Sequence, residues 1–517
     1  MMLLSQAAKA LDARMIGADV RFTAVSTDSR KVKAGDLFIA LRGENFDGYD
    51  FAATAAQDGA AAVMVNADSY EANPLTHDPL SPPILLVKDT RLALGQLAAY
   101  WRAQFDIPLV AITGSNGKTT VKEMLTSILR QKIKDELHDS SLSLREITSD
   151  LAGVVCQPSR MASSSIRVGE RVGEREQSGD ADQHVLATHG NLNNDIGMPL
   201  TLLRLNAQHR YAVIEMGMNH SGEIDYLTHL ARPDVALITN ASGAHLAGLG
   251  SVEAVAHAKG EIFAGLKLRG TAVINADDAY APLWRDLATT HPMIGFSLDQ
   301  AADISGKWQP HGAGLRLDAQ TPSGNFSVDL QVPGAHNARN ALAATAAAIA
   351  LKVPLEAIAT GLEKFGGVSG RLQRKTARHG ATLIDDTYNA NPASMRAAIG
   401  VLAQSGVGKP GGKRVMVMGD MGELGGDAAM LHAEIGIEAR TAGIEKLYAL
   451  GELSANAVRA FGCGAEHFAC IEDLQKALED EMDEDTTLLV KGSRFMKMER
   501  VVEFCINEKG AGKCCSH

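Results

Sequence analysis

The sequence predicts an α/β protein in three parts: a small mixed α/β domain over residues 1–105, a central parallel sheet over 106–368 and a further alternating unit over 369–517. Three observations carry this prediction. A chain of 517 residues accommodates about three domains at ~150 residues each. From residue 106 onward short apolar runs alternate with helical stretches, as in a doubly wound sheet. Finally, Leu109 to Met124, LVAITGSNGKTTVKEM, begins as a β-branched apolar run, turns through glycines and continues as a helix.

That turn is the most informative stretch. Glycines let successive backbone N–H groups face one anion, and the helix start adds its positive dipole end. Thr113, Gly114, Ser115, Asn116, Gly117, Lys118, Thr119 and Thr120 therefore form a candidate phosphate cradle. Lys118 is placed to reach the β- and γ-phosphates, and the Thr119 hydroxyl to meet Mg²⁺. The strict eight-residue phosphate-loop pattern requires glycine at position 112, where this chain has Ile112, so TGSNGKTT is a shorter variant.

Composition narrows the function classes. Hydrophobic residues make up 45% and charged residues 21%, ordinary for a globular chain with several cores. A formal net charge of −11 argues against nonspecific nucleic-acid binding, which needs a basic surface. No apolar run reaches the ~18 residues of a membrane span. The start, MMLLSQAAKALDARM, lacks a basic leader and reads as an amphipathic helix without an export signal. Cysteines 156, 463, 470, 505, 514 and 515 show no metal-ligand spacing, which predicts reduced thiols and a cytoplasmic location.

Along the first part, Val20–Ser26 alternates as a half-buried strand, and Asp36–Leu41, Ala60–Val65 and Ile84–Val87 read as further strands. Leu92–Phe105 is amphipathic and leads into the central part. Its expected strands are Leu109–Ile112, Ala212–Glu215, Val235–Thr239 and Ala272–Asn275. Residues 131 to about 184 are polar and Ser/Arg/Glu-rich, with the near-repeat VGERVGER at 168–175, and read as a partly disordered surface insertion. The last part predicts strands at Thr382–Ile384, Arg414–Met418, Lys446–Leu450 and Thr487–Val490, and a loose tail EKGAGKCCSH.

Several polar positions sit where chemistry gathers. Glu215 ends a buried strand at the edge where open sheets bind ligands. His245 follows the next strand, and Lys259 lies on the helix after it; each alone reads equally as an ordinary surface or packed side chain. Asn191, Asn193, Asn194 and Asp195 precede an apolar helix and either cap it or face a substrate. His336, Asn337 and Asn340 open a helix after a glycine corner and either cap it or contact a base. Arg371 is a guanidinium at a domain junction, suited to clamp a phosphate. Asp385, Asp386, Tyr388, Asn389 and Asn391 end a strand before a proline-started helix.

Taken together, GNLNNDIG (190–197), EMGMNHSGEI (215–224), DDTYNANP (385–392) and MGDMGELG (418–425) resemble the Mur ligases. The resemblance covers nearly everything except 131–184 and the last few residues. Within that family it points to the branch coupling D-alanyl-D-alanine to UDP-N-acetylmuramoyl-tripeptide, and the DNPR signature of the diaminopimelate- or lysine-adding branch is absent. The phosphate loop alone is shared with other Mur-type and folylpolyglutamate-type ligases, which are the alternative.

The resemblance implies a UDP-substrate domain, a P-loop ATPase-like central domain and a C-terminal Rossmann-like ligase domain, in a cytoplasmic monomer that uses ATP and Mg²⁺. Lys118, Thr119, Asn337, Arg371 and Asp386 match nucleotide contacts. Thr119, Glu215, His245 and Lys259 match metal positions, with Lys259 carried as an N-carboxylated side chain, and Lys118, Lys259 and His245 match the catalytic set. Ser29, Arg30, Arg42, Asn45, Phe46 and Asp47 match first-domain substrate loops. Asn193, Asn194, Asp195, Tyr388, Asn389, Asn391, Lys491 and Ser493 match further substrate contacts. The implied partners are UDP-N-acetylmuramoyl-tripeptide and D-alanyl-D-alanine, without nucleic acid or membrane insertion.

Overall fold

The computed structural model describes residues 1–43, 46–75, 82–152, 181–243, 246–405 and 412–507. Among them the chain forms three sheets of mainly parallel strands, with helices on their faces, and a short two-stranded ribbon. The first sheet orders its five strands Arg14–Ile16, Ile84–Val87, Ala62–Asn66, Asp36–Ile39 and Ala24–Ser26, parallel except for Arg14–Ile16. The run 20–26, expected as one strand, is divided. Arg21–Phe22 pairs with Met2–Leu3 in the ribbon, while Ala24–Ser26 joins the five-stranded sheet. Phe22 is fully buried, and Thr23 Oγ1 donates to the Gly35 carbonyl at the change of partner.

The central sheet holds nine described strands. Leu109–Thr113 is buried along its whole length, as its unbroken apolar composition requires. It lies between Tyr211–Glu215 and Val235–Ile238, with Glu215 in register with Ile112 and Ile238 with Thr113. The carboxyl ends of three parallel strands therefore meet at one edge. The far side continues through Thr271–Asn275 and Met293–Ser297 into the meander Ile304–His311, Gly314–Thr321 and Gly324–Leu330. Sequence pattern missed this meander because its outer strand positions are largely solvent-facing and carry polar residues.

The helix after the phosphate loop runs from Lys118 to Ala152. The insertion expected from 131 therefore begins inside a helix. Ile133 and Ala181 are buried in the central core, and Arg130 pairs with Asp182 at 3.1 Å. Residues 153–180, including VGERVGER and Cys156, lie outside the described residues, as do the tail 508–517 with Cys514 and Cys515. Cys463, Cys470 and Cys505 are free thiols. Among the described residues no helix is long and apolar enough to cross a membrane.

The first and central parts share one apolar core. The helix Thr90–Arg102, capped by Asp89, buries Leu94 and Leu97 among Leu37 and Leu85 on one side and Leu202 and Leu227 on the other. Trp101 Nε1 donates to the Leu205 carbonyl at 3.0 Å, and the buried Arg102 guanidinium donates to the carbonyls of Phe105, Ile107 and Ala231. The C-terminal sheet orders Gln373–Thr376, Thr382–Asp386, Thr486–Lys491, Lys413–Gly419, Lys446–Leu450 and Ala465–Phe468, with the first antiparallel. Its apolar clusters are separate from those of the other two sheets.

Candidate active site

At the strand edge, Gly114 and Gly117 take φ values of 146° and 84°, which suit glycine. A Cβ on Gly114 would collide with Thr239, and one on Gly117 with Asn340. The loop is thus packed so that only a bare backbone fits. Lys118 is half-buried, and its ammonium donates to the Gly114 carbonyl at 2.8 Å. Desolvation pulls its pKa below the usual lysine range, opposed by Glu215 and assisted by Arg371.

Thr119 is buried, donates from Oγ1 to Glu215 Oε2 at 2.8 Å and accepts from Arg371 Nη2 at 2.9 Å. Asn193 Nδ2 donates to the other Glu215 oxygen at 2.8 Å. Thr119 and Asn193, far apart in sequence, therefore meet on one buried carboxylate, and Arg371 reaches it through Thr119. Lys259 is only 2% exposed on the helix Val252–Gly260. Burial drives its pKa well below the usual value, and the Lys118 charge adds to the effect. Among the described residues its ammonium has no hydrogen-bond or ion-pair partner, so a bare cation is poorly accommodated there. His245 lies outside the described residues, as does Asn45.

A cleft of about 1610 Å³ opens beside these groups, between the central and C-terminal sheets. Ser115 to Lys118, Thr120 and Glu215 line one wall. Arg371 lies over the Tyr388 ring at 4.1 Å, and both line the opposite wall with Asp386, Asn389 and Lys491. Buried Asp386 accepts from Lys491 Nζ at 2.6 Å and from the Leu372 amide at 3.1 Å. Burial raises its pKa, and the Lys491 charge opposes that rise. Lys491 also donates to the Asn389 carbonyl at 2.8 Å, and Ser493 Oγ to that of Ala390 at 3.1 Å.

The chain belongs to the Mur ligase family. Three family models match in succession: the Mur ligase family, catalytic domain over residues 21–102, the Mur ligase middle domain over 159–348, and the Mur ligase, glutamate ligase domain over 370–494. The UDP-N-acetylmuramoyl-tripeptide--D-alanyl-D-alanine ligase of Escherichia coli (strain K12) is 40% identical over 511 residues, 98% of each chain. The ligase of the same name from Bacillus subtilis (strain 168) is 33% identical over 93% of this chain and 92% of its own. The crystal structure of MurF from Acinetobacter baumannii superposes with a TM-score of 0.78 at 33% identity, covering 96% of this chain and 97% of that one.

Against this Mur ligase frame the asparagine cluster divides by function. Asn194 precedes the helix Gly197–Leu202, and its side-chain oxygen accepts from the Gly197 amide at 2.8 Å. Asn193 holds Glu215. Asp195 forms a two-point ion pair with Arg91 on the helix Thr90–Arg102. Arg91 escaped sequence reading because a lone arginine in an amphipathic run has no local signal.

At the helix Ala335–Ala350, Asn337 donates to the Pro333 carbonyl at 2.8 Å and is met by Asn340 at 3.4 Å. Among the described residues His336 Nε2 is enclosed without a hydrogen-bond partner. Desolvation, helped by Lys491 and Arg339, brings the ring pKa down to about 4. An NMR titration of His336 is thus expected to have its midpoint near 4, against about 6.5 for a free ring. Protonation then favours unfolding, so this contribution to stability is complete above about 6.5 and is lost as pH falls toward 4. A midpoint near 6.5 would show a ring open to water.

Arg339 and Asp277 also line the cleft, bonded at 3.0 Å, and were missed; Asp277-Asp278 just after the strand Thr271–Asn275 was the available signal. The predicted first-domain residues are elsewhere. Arg30 pairs with Asp28, Arg42 lies 4.0 Å from Asp47, and Asp47 accepts from the Tyr49 amide and the Ser69 hydroxyl. Ser29 begins a short turn of helix, and Phe46 is 61% exposed. Among the described residues none of these lines the cleft.

Proposed function

We propose that this chain couples D-alanyl-D-alanine to UDP-N-acetylmuramoyl-tripeptide with hydrolysis of ATP to ADP and phosphate, completing the pentapeptide precursor of peptidoglycan in the cytoplasm. The observation that carries this reading is the meeting of Lys118, Thr119 and Glu215 with Arg371, supplied by the opposite wall of the cleft. The name shared by relatives at up to 40% identity supports the choice of amine and acceptor. In this reading 1–105 holds the UDP end of the acceptor, 106–368 the ATP, and 369–517 the incoming amine, in a monomer.

The chemical problem is that a carboxylate is a poor electrophile and is repelled by a triphosphate. Lys118 and Arg371 offset that repulsion and stabilise charge on the phosphoryl group in transfer. A terminal carboxylate oxygen of the tripeptide attacks the γ-phosphorus, ADP leaves, and an acyl phosphate forms. The uncharged amine of D-alanyl-D-alanine attacks the acyl carbon; the tetrahedral adduct loses a proton and expels phosphate, leaving the amide. Docking of the C-terminal part keeps water from the acyl phosphate.

The donor set fits Mg²⁺, because Thr119 and Glu215 offer hard oxygens side by side in a buried site. Thr119 and Glu215, with His245 and an N-carboxylated Lys259 as the further expected ligands, would hold Mg²⁺, which would supply charge neutralisation for the phosphates. Asn337 and Asp386 are assigned to the nucleotide. Asn193, Asn194, Asp195, Tyr388, Asn389, Asn391, Lys491 and Ser493 are assigned to the substrates directly or through their neighbours.

The deciding experiment is ATP-dependent phosphate release with UDP-N-acetylmuramoyl-tripeptide, with and without D-alanyl-D-alanine. Release is expected only with the dipeptide, accompanied by the pentapeptide product. A response to single amino acids or to glutamate instead would overturn the assignment in favour of another Mur-type or folylpolyglutamate-type ligase.

A further inference from the structure

The first and central sheets are joined by a common apolar core, but among the described residues no apolar cluster spans the central and C-terminal sheets. The chain passes between them through Gly367 and Gly370, at φ values of 92° and 70°. Contact across this junction is therefore polar, of the kind that opens and closes readily. One bond across it is Arg371 to Thr119, already placed at the phosphates. Among the described residues a second joins Asn391 Nδ2 to Asn116 Oδ1 at 2.9 Å.

Each asparagine of this second bond is also tied to its own side. The Asn391 oxygen caps the helix Pro392–Gln404, accepting from the Ser394 amide at 2.9 Å, and the Asn391 amide is met in return by Ser394 Oγ. Asn116 donates from Nδ2 to Ser242 Oγ at 3.0 Å, and its backbone N–H donates to Asn240 Oδ1 at 3.0 Å. Both side chains are thus held in place before they meet, so little rotamer freedom is lost on pairing. Asn116 is also part of the glycine turn that leads into Lys118.

We propose that Asn391 and Asn116 form a latch that holds the C-terminal part docked on the phosphate loop, making Asn391 a positioning residue for ligation. Its effect on turnover rests on the ligase reading; its effect on docking does not. A nucleotide that orders the loop favours docking, and docking favours the ordered loop, because the two events share one bond.

Asn391→Ser and Asn391→Asp separate the latch from the helix cap. Serine and aspartate cap about as well as asparagine, but serine is too short to reach Asn116, and aspartate sets an acceptor against its oxygen. In the full-length protein both variants are expected to melt with the wild type. Turnover should fall about 3- to 10-fold, the range one neutral hydrogen bond supplies, with the KM for ATP changed less than about twofold. In small-angle X-ray scattering both should be more expanded than the wild type with a non-hydrolysable ATP analogue and Mg²⁺. Combined with Asn116→Ala, neither should add a further loss, since the bond is already broken.

Wild-type turnover and dimensions in Asn391→Ser would overturn the latch. So would a defect confined to Asn391→Ala, which would reveal a cap alone, or fully additive losses in the double variants. If the wild type released no phosphate with D-alanyl-D-alanine, the ligase reading would fail while scattering still decided the latch; equal dimensions of wild type and Asn391→Ser in every condition would then reject it.

Discussion

Replacing Lys118 by alanine is expected to lower ATP-dependent phosphate release by at least ~100-fold, the scale of one preorganised electrostatic contact in a site shielded from water. Lys118 sits half-buried at the first turn of its helix, bonded to the Gly114 carbonyl at 2.8 Å. The surrounding backbone N–H groups contribute only partial charges to a bound triphosphate. A full positive charge there matters most as the γ-phosphoryl group transfers, so the loss should fall on kcat more than on the KM for ATP. Unaltered melting of the variant would confirm that the fold survives. Near-normal turnover would overturn the assignment of the loop.

Lys259→Ala is expected to cost at least ~100-fold as well, for a different reason. The side chain is 2% exposed, without a partner among the described residues, and its pKa lies well below that of a free lysine. A lowered pKa leaves more uncharged amine at neutral pH, the form that adds CO₂ to give a carbamate. That addition exchanges a repelled cation for an anion with two oxygens, suited to Mg²⁺ beside Glu215. Wild-type turnover should therefore drop in CO₂-depleted buffer and return with bicarbonate, and recovery should strengthen as pH rises through the lowered pKa. Lys259→Ala should ignore bicarbonate. Full turnover after rigorous CO₂ removal, with no carbamate resonance from ¹³C-bicarbonate, would sink the modification.

Much of the site was legible before folding because its signals are local. A buried strand must be apolar throughout, and a tight anion turn must be glycine-rich; both features lie within residues 109–120. Glu215 was visible by the same logic, as a carboxylate that ends an apolar run. Partners that act across the fold left no such mark. Arg91 meets Asp195 across 104 positions, and Asn391 meets Asn116 across 275. The ambiguous asparagines show the limit most directly: Asn193 and Asn194 are neighbours of one residue type, yet one holds Glu215 and the other accepts from the Gly197 amide.

Sequence alone determined the three-part α/β plan, the glycine turn into the helix from Lys118 and the family, because strand hydrophobicity, glycine turns and short motifs are written in consecutive residues. Tertiary structure alone decided which side chains share a carboxylate, that Lys259 is buried, and that the helix from Lys118 continues to Ala152. It also decided that the first sheet is joined to the second through a core and the third through polar contacts. The physical reason is that burial and pairing depend on distances between residues far apart along the chain, and those distances exist only once the sheets have closed around them.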